Sequence, residues 1–163
     1  MPKKLPIIIF LFSIYYYLLP ITSAFAESNS YITIVNPQRI SVYTKDYLLS
    51  FKSQYSEVEK RDLYATWPVT YDVLKKDDFV DELKRLNSSQ ELGIFLEVTP
   101  LFAKDANVIY NKLDSWHRAA SLFLSGYSQA DRIKLIDTVF KKFKEEFGYY
   151  PKSVGSWWTD SYS

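Results

Sequence analysis

Chemistry in this chain starts with a carboxylate in an apolar strand. The stretch QELGIFLEVTP, residues 90–100, holds Leu92, Ile94, Phe95, Leu96 and Val98, with Glu97 among them. An unpaired carboxylate is costly to bury. Period two divides the stretch into two faces, Ile94, Leu96 and Val98 on one, Phe95, Glu97 and Thr99 on the other. Glu97 therefore faces away from the packed layer. It either lines a pocket, as a general acid, a base or an acceptor for hydroxyl groups, or is satisfied there by backbone or by a Lys or Arg partner. Asp160 comes soon after a later strand, just beyond Trp157 and Trp158. With Glu97 it would form a two-carboxylate pair of the glycosidase kind, whose separation sets the stereochemical outcome; the alternative is a solvated Asp near a chain end.

The other candidates would bind rather than react. Asn36 and Arg39 offer polar contacts where the first strand ends. Asp72 follows the second strand, with helix entry or a turn as its alternative role. Trp116 and His117 lie in a long loop of the kind that forms active-site lids, and an unperturbed His titrates near neutral pH. Trp67, Trp157 and Trp158 present flat, half-polar rings suited to sugar faces, with core packing expected for at least one of them.

Composition removes other chemistries. The 163 residues include no Cys and one His. Disulfides and thiolate nucleophiles are excluded. A catalytic zinc generally takes three protein ligands from His, Cys and carboxylate, and a two-His site cannot form within this chain. No run of oxygen ligands resembles an EF-hand. No metal and no cofactor are expected. The net charge of +1 comes from interspersed acids and bases, so there is no footprint for nucleic acid and no polybasic patch for a membrane surface. Aromatic residues make up 18%, with 14 Tyr the most numerous.

The N-terminus reads as a targeting segment. Lys3 and Lys4 precede the apolar run LPIIIFLFSIYYYLLPI, and Ala24 and Ala26 supply the small residues of a cleavage site. Residues 1–26 are expected to be an export signal, leaving 27–163 as one secreted or cell-envelope domain. The alternative is an uncleaved N-terminal anchor, since the run is nearly long enough to span a bilayer, and that is the one membrane contact expected.

The elements that must position these side chains alternate. SYITIVNP reads as a strand ended by Asn36-Pro37, and residues 38–61 as a mixed polar stretch with weak helical character. Residues 63–69 form a second strand, with Pro68 awkward in it. A helix follows over 76–86, with Phe79, Leu83 and Leu86 on one stripe. After the Glu97 strand, residues 101–126 are long and irregular. The clearest helix starts at Ser128, capped with Asp131, and carries Ile133, Ile136, Phe140, Phe143 and Phe147 on one face up to Gly148. KSVGSWW is a fourth strand. Such alternation predicts an α/β fold with a parallel sheet or barrel, whose ligands gather at the carboxyl ends of the strands.

The order of these pieces resembles the polysaccharide deacetylase family, of the glycoside hydrolase/deacetylase (β/α)-barrel superfamily. ATWPV, residues 65–69, is similar to the family's ATFFV. ELGIFLEVTP is similar to its metal-binding strand, with Glu91, Leu92, Gly93 and Pro100 in step. FGYYPKSVGSWW is similar to its later helix end and strand. The resemblance implies an incomplete, distorted (β/α) barrel, mainly of parallel strands, acting on N-acetylated glycans. The departures fall on the chemistry. Val35 and Asn36 stand where the family's aspartates would be, Phe95 and Thr99 where its two His would be, and Ser156 and Trp157 in the region of its later Arg. The expected function is thus glycan binding or a changed reaction, without metal-dependent deacetylation; the alternatives are a metal-independent hydrolase using Glu97 and Asp160, or a structural or partner-binding envelope domain. Because the resembling barrel has about seven strands and four are found here, the chain is expected to be its N-terminal part, or to assemble with a second chain.

Overall fold

In the computed structural model, residues 32–40, 45–112 and 119–159 are described. The expected export signal, residues 1–26, together with Trp116, His117 and Asp160, lies outside them.

Four strands form one sheet in the order β1-β2-β3-β4, and every neighbouring pair is parallel. They are β1 (Ile34–Val35), β2 (Ala65–Val69), β3 (Gln90–Leu96) and β4 (Val154–Ser156). Between them run α1 (Tyr47–Lys60), α2 (Tyr71–Leu74), α3 (Asp77–Leu83), α4 (Pro100–Asp105), α5 (Ala119–Leu122) and α6 (Gln129–Phe147), with a 3₁₀ turn at Leu124–Gly126. The strand order never reverses, and the helices pack against one face of the sheet. The result is an α/β fold with a curled, half-barrel sheet. No helix among the described residues is long and apolar enough to cross a membrane.

The core lies between sheet and helices. Trp67 and Val69 of β2 and Ile94 and Leu96 of β3 meet Phe51 of α1, Phe79 and Leu83 of α3, and Leu135, Val139 and Phe143 of α6. Phe51 stands edge-on to Trp67 at 5.3 Å and tilted to Phe79 at 5.2 Å, geometries that favour aromatic pairs beyond their burial.

Four expectations are corrected. The stretch at 38–61 contains a firm 14-residue helix, α1, whose first amides at Leu48 and Leu49 both donate to the Asp46 side chain at 3.0 Å; that cap satisfies two of the helix's orphan donors. Residues 101–126 are not irregular throughout. Pro100 starts α4, and the Thr99 hydroxyl caps it by accepting from the Phe102 amide at 3.1 Å. The buried stripe of α6 is Leu135–Val139–Phe143; Ile136, Phe140 and Phe147 flank it, while Ile133 is 55% exposed. This helix has more apolar residues than one face can hold, and packing selects among them. The first strand is shorter than read, two residues with one further bridge at Gln38↔Val69.

Pro68 lies within β2 rather than ending it. Asn36 donates its amide to the Thr66 carbonyl, and Gln38 to that of Pro68. In that register an amide at position 68 would have donated to the Asn36 carbonyl. That carbonyl instead accepts from the Gln38 side-chain amide at 3.1 Å. The sheet tolerates Pro68 because its missing donor faces the short edge strand and a side chain replaces it.

Candidate functional site

The register extends the two-face reading to the whole sheet. Residues paired across parallel strands share a face, so Ile34, Ala65, Trp67, Val69, Leu92, Ile94, Leu96 and Ser156 lie toward the helices. Val35, Thr66, Pro68, Gly93, Phe95 and Gly155 lie on the opposite, concave face. Gly93 is needed there. A Cβ on it would stand 2.4 Å from the Ser153 hydroxyl oxygen and 2.8 Å from the Ser153 carbonyl oxygen.

Glu97 follows β3 on this concave face and is 5% exposed. Its two oxygens have different partners. Arg39 donates to Oε1 at 2.6 Å as an ion pair, and the Trp157 indole N–H donates to Oε2 at 2.7 Å. The Arg39 guanidinium also lies 5.4 Å from the centre of the Trp157 ring, a cation–π distance. Phe95 meets that ring edge-on at 5.2 Å. The question raised by Glu97 thus resolves on its second alternative: a buried carboxylate held by an arginine at the mouth of the sheet, with an indole completing its hydrogen bonding.

Arg39 comes after β1 and Trp157 after β4, and their long side chains reach across the sheet to meet. The mouth closes over the ends of β2 and β3.

Asp72 and Thr99 complete the rim. Asp72 is in the first turn of α2, just past β2, and its Oδ1 accepts from the Thr99 hydroxyl at 2.6 Å. Burial pushes the Asp72 carboxyl above its ordinary range; the Thr99 hydroxyl opposes this and the Glu97 charge adds to it. Burial also raises the Tyr110 hydroxyl, and Glu97 adds to that shift too. Arg39, Asp72, Glu97, Thr99 and Trp157 therefore gather where the four strands end, the position at which parallel α/β sheets place their ligands.

The remaining candidates are distributed otherwise. Trp158 is 65% exposed just beyond Trp157. Trp67 is fully buried and donates its indole N–H to the Gln90 side chain at 2.9 Å, so its ring packs the core instead of offering a sugar platform. Asn36 shows backbone bonds to the sheet edge and shares the strand parity of Ile34 and Gln38, toward the helices. Thr99 stands at a position that the resemblance gives to a His, and its pairing with Asp72 is a long-range consequence of register.

The positions that the resemblance would assign to metal ligands do not carry a metal-donor set. Val35 and Phe95 have no ligating atom, and the Thr99 hydroxyl is bonded to Asp72. Among the described residues no three His, Cys, Asp or Glu side chains come together as a metal cluster. No protein-family model, no curated protein and no solved structure matches this chain.

Proposed function

We propose that this chain is an exported glycan-binding protein on a polysaccharide-deacetylase-like (β/α) half-barrel, working without the metal chemistry of that family. The observation that carries the reading is the Arg39–Glu97–Trp157 arrangement at the carboxyl ends of the strands. It fixes an indole that is half exposed at the mouth of the concave face. Rigid, half-polar rings beside buried hydrogen-bonding groups suit the alternating apolar faces and hydroxyl edges of sugars.

Binding fits this geometry better than hydrolysis by Glu97. Both of its oxygens already accept from donors on the chain, which leaves neither lone to exchange a proton with a ligand. Glu97 holds Arg39 and Trp157 in place, and the ligand meets those two with Asp72. Calorimetric titration of the folded chain with chitooligosaccharides, cello-oligosaccharides and peptidoglycan fragments tests the reading. Saturable binding that Trp157→Ala weakens at least several-fold is expected. Binding by none of these, or binding indifferent to Trp157, would refute it, and chelator-sensitive release of acetate would refute the metal-free part.

A further inference from the structure

Charge at the mouth does not balance, and the imbalance has a chemical complement. Glu97 has Arg39. Asp105 has Lys75 at 3.1 Å and the Tyr71 hydroxyl at 2.9 Å. Asp72, between them, accepts from a neutral hydroxyl and has no ion pair among the described residues. The charge of Lys76 favours its ionised form, but that ammonium lies 5.8 Å from the centre of the Tyr47 ring. The charges of Glu97 and Asp105 both act against ionising Asp72. A partly buried carboxylate in this position is relieved by a cation brought from outside. The Trp157 indole at the same mouth already takes one cation, since Arg39 lies over its ring. Arg39 itself is committed to Glu97, so the mouth offers no free guanidinium for an anionic ligand.

Resting on the glycan reading, we infer that the site selects sugars bearing a free primary ammonium, which Asp72, aimed by Thr99, takes as a charged hydrogen-bond acceptor at the mouth that Glu97 and Trp157 share. N-acetylated sugars lack the charge, and uronic acids carry the opposite one.

The test compares three oligosaccharides of equal length by calorimetry, at a pH where the amine is protonated: fully deacetylated chitosan, its N-acetylated counterpart, and a neutral β-1,4-glucan. A charged hydrogen bond exceeds a neutral one by enough to predict about tenfold tighter binding of the amine form. Asp72→Asn, which keeps an acceptor for Thr99, should reduce that ratio to about one, with an unchanged circular dichroism spectrum. The wild-type preference should also shrink as salt is raised. Equal binding of all three, or a preference that survives Asp72→Asn or high salt, would overturn this inference and leave the glycan reading standing. Binding of none of them would overturn both. Should Asp72→Asn fail to fold, the salt dependence on the wild-type chain decides.

Discussion

Replacing Arg39 by Ala removes the charged partner of a carboxylate whose side chain is 6% exposed. Breaking a fully buried ion pair costs about 3–5 kcal/mol, because the remaining charge is stranded. Two features lower the figure here. The Arg39 side chain is 47% exposed, so water screens the pair. The Trp157 indole continues to donate to the other oxygen. An expected loss of about 1–2 kcal/mol follows. For a chain of this size that lowers the melting temperature by roughly 3–6 °C. Urea unfolding of wild type, Arg39→Ala, Glu97→Gln and the double variant forms a cycle in which the coupling should be about 1 kcal/mol. The surface pair of Lys84 with Glu146 is the control; Lys84→Ala should change stability by less than about 0.5 kcal/mol. A cycle with no coupling, or Arg39→Ala as silent as Lys84→Ala, would refute the claim that Arg39 holds Glu97 and closes the mouth.

Other expectations concern the frame and its titration. Leu135→Ala should cost about 2–4 kcal/mol, since its side chain is fully buried, whereas Ile133→Ala should stay within about 0.5 kcal/mol; equal costs in urea unfolding would contradict the packing of α6. Gly93→Ala should part β4 from β3, because the added methyl meets the Ser153 backbone as well as its side chain. Hydrogen exchange should then show early loss of protection at the Ile94 amide, which donates to the Ser153 carbonyl, and unchanged protection there would contradict the close approach. Asp105 is lowered first by the Tyr71 hydroxyl and then by Lys75. Its folded value lies below its unfolded one, so its contribution is present above the ordinary value of 3.8 and is lost as pH falls through the lowered one. Asp72 has the opposite sign. Its raised value means that ionisation above 3.8 disfavours folding, so Asp72→Asn should gain stability over wild type at neutral pH, with the gap closing below about pH 4. A gap independent of pH would contradict the burial of that carboxyl.

Much of the frame follows from local rules. Period two assigned Glu97 to the face opposite Ile94, Leu96 and Val98, because register fixes every side chain of a strand once one face is packed. The Ser128 cap and Gly148 stop of α6 are local too, with the Asp131 amide donating to Ser128 and Gly148 at a φ of 80°. Helix α1 differs from the weak helix its sequence suggests, although its signals are local: the Asp46 cap, and Phe51 and Val58 seven residues apart on its buried side. Polar residues between them diluted the pattern. Thr99-Pro100 was likewise a cap followed by a proline at the first helical position.

What sequence could not supply was pairing over distance. Arg39 and Glu97 are 58 positions apart, and Glu97 and Trp157 60; nothing in either neighbourhood names its partner. Trp67 carries the same ring as Trp157, and only the register of β2 places one in the core and the other at the mouth. Asp72 read as a turn residue because the strand-end geometry that aims it at Thr99 depends on the curl of the whole sheet.

The central claim, that ligands meet this chain at the carboxyl mouth of the sheet, is tested most directly by the indole N–H resonances of a ¹⁵N-labelled sample titrated with an amino-sugar oligosaccharide. The Trp157 signal should shift in proportion to saturation, because its N–H is bonded to Glu97 beneath the ligand, while the core signal of Trp67 stays fixed. A saturable titration that leaves Trp157 unmoved would contradict the account.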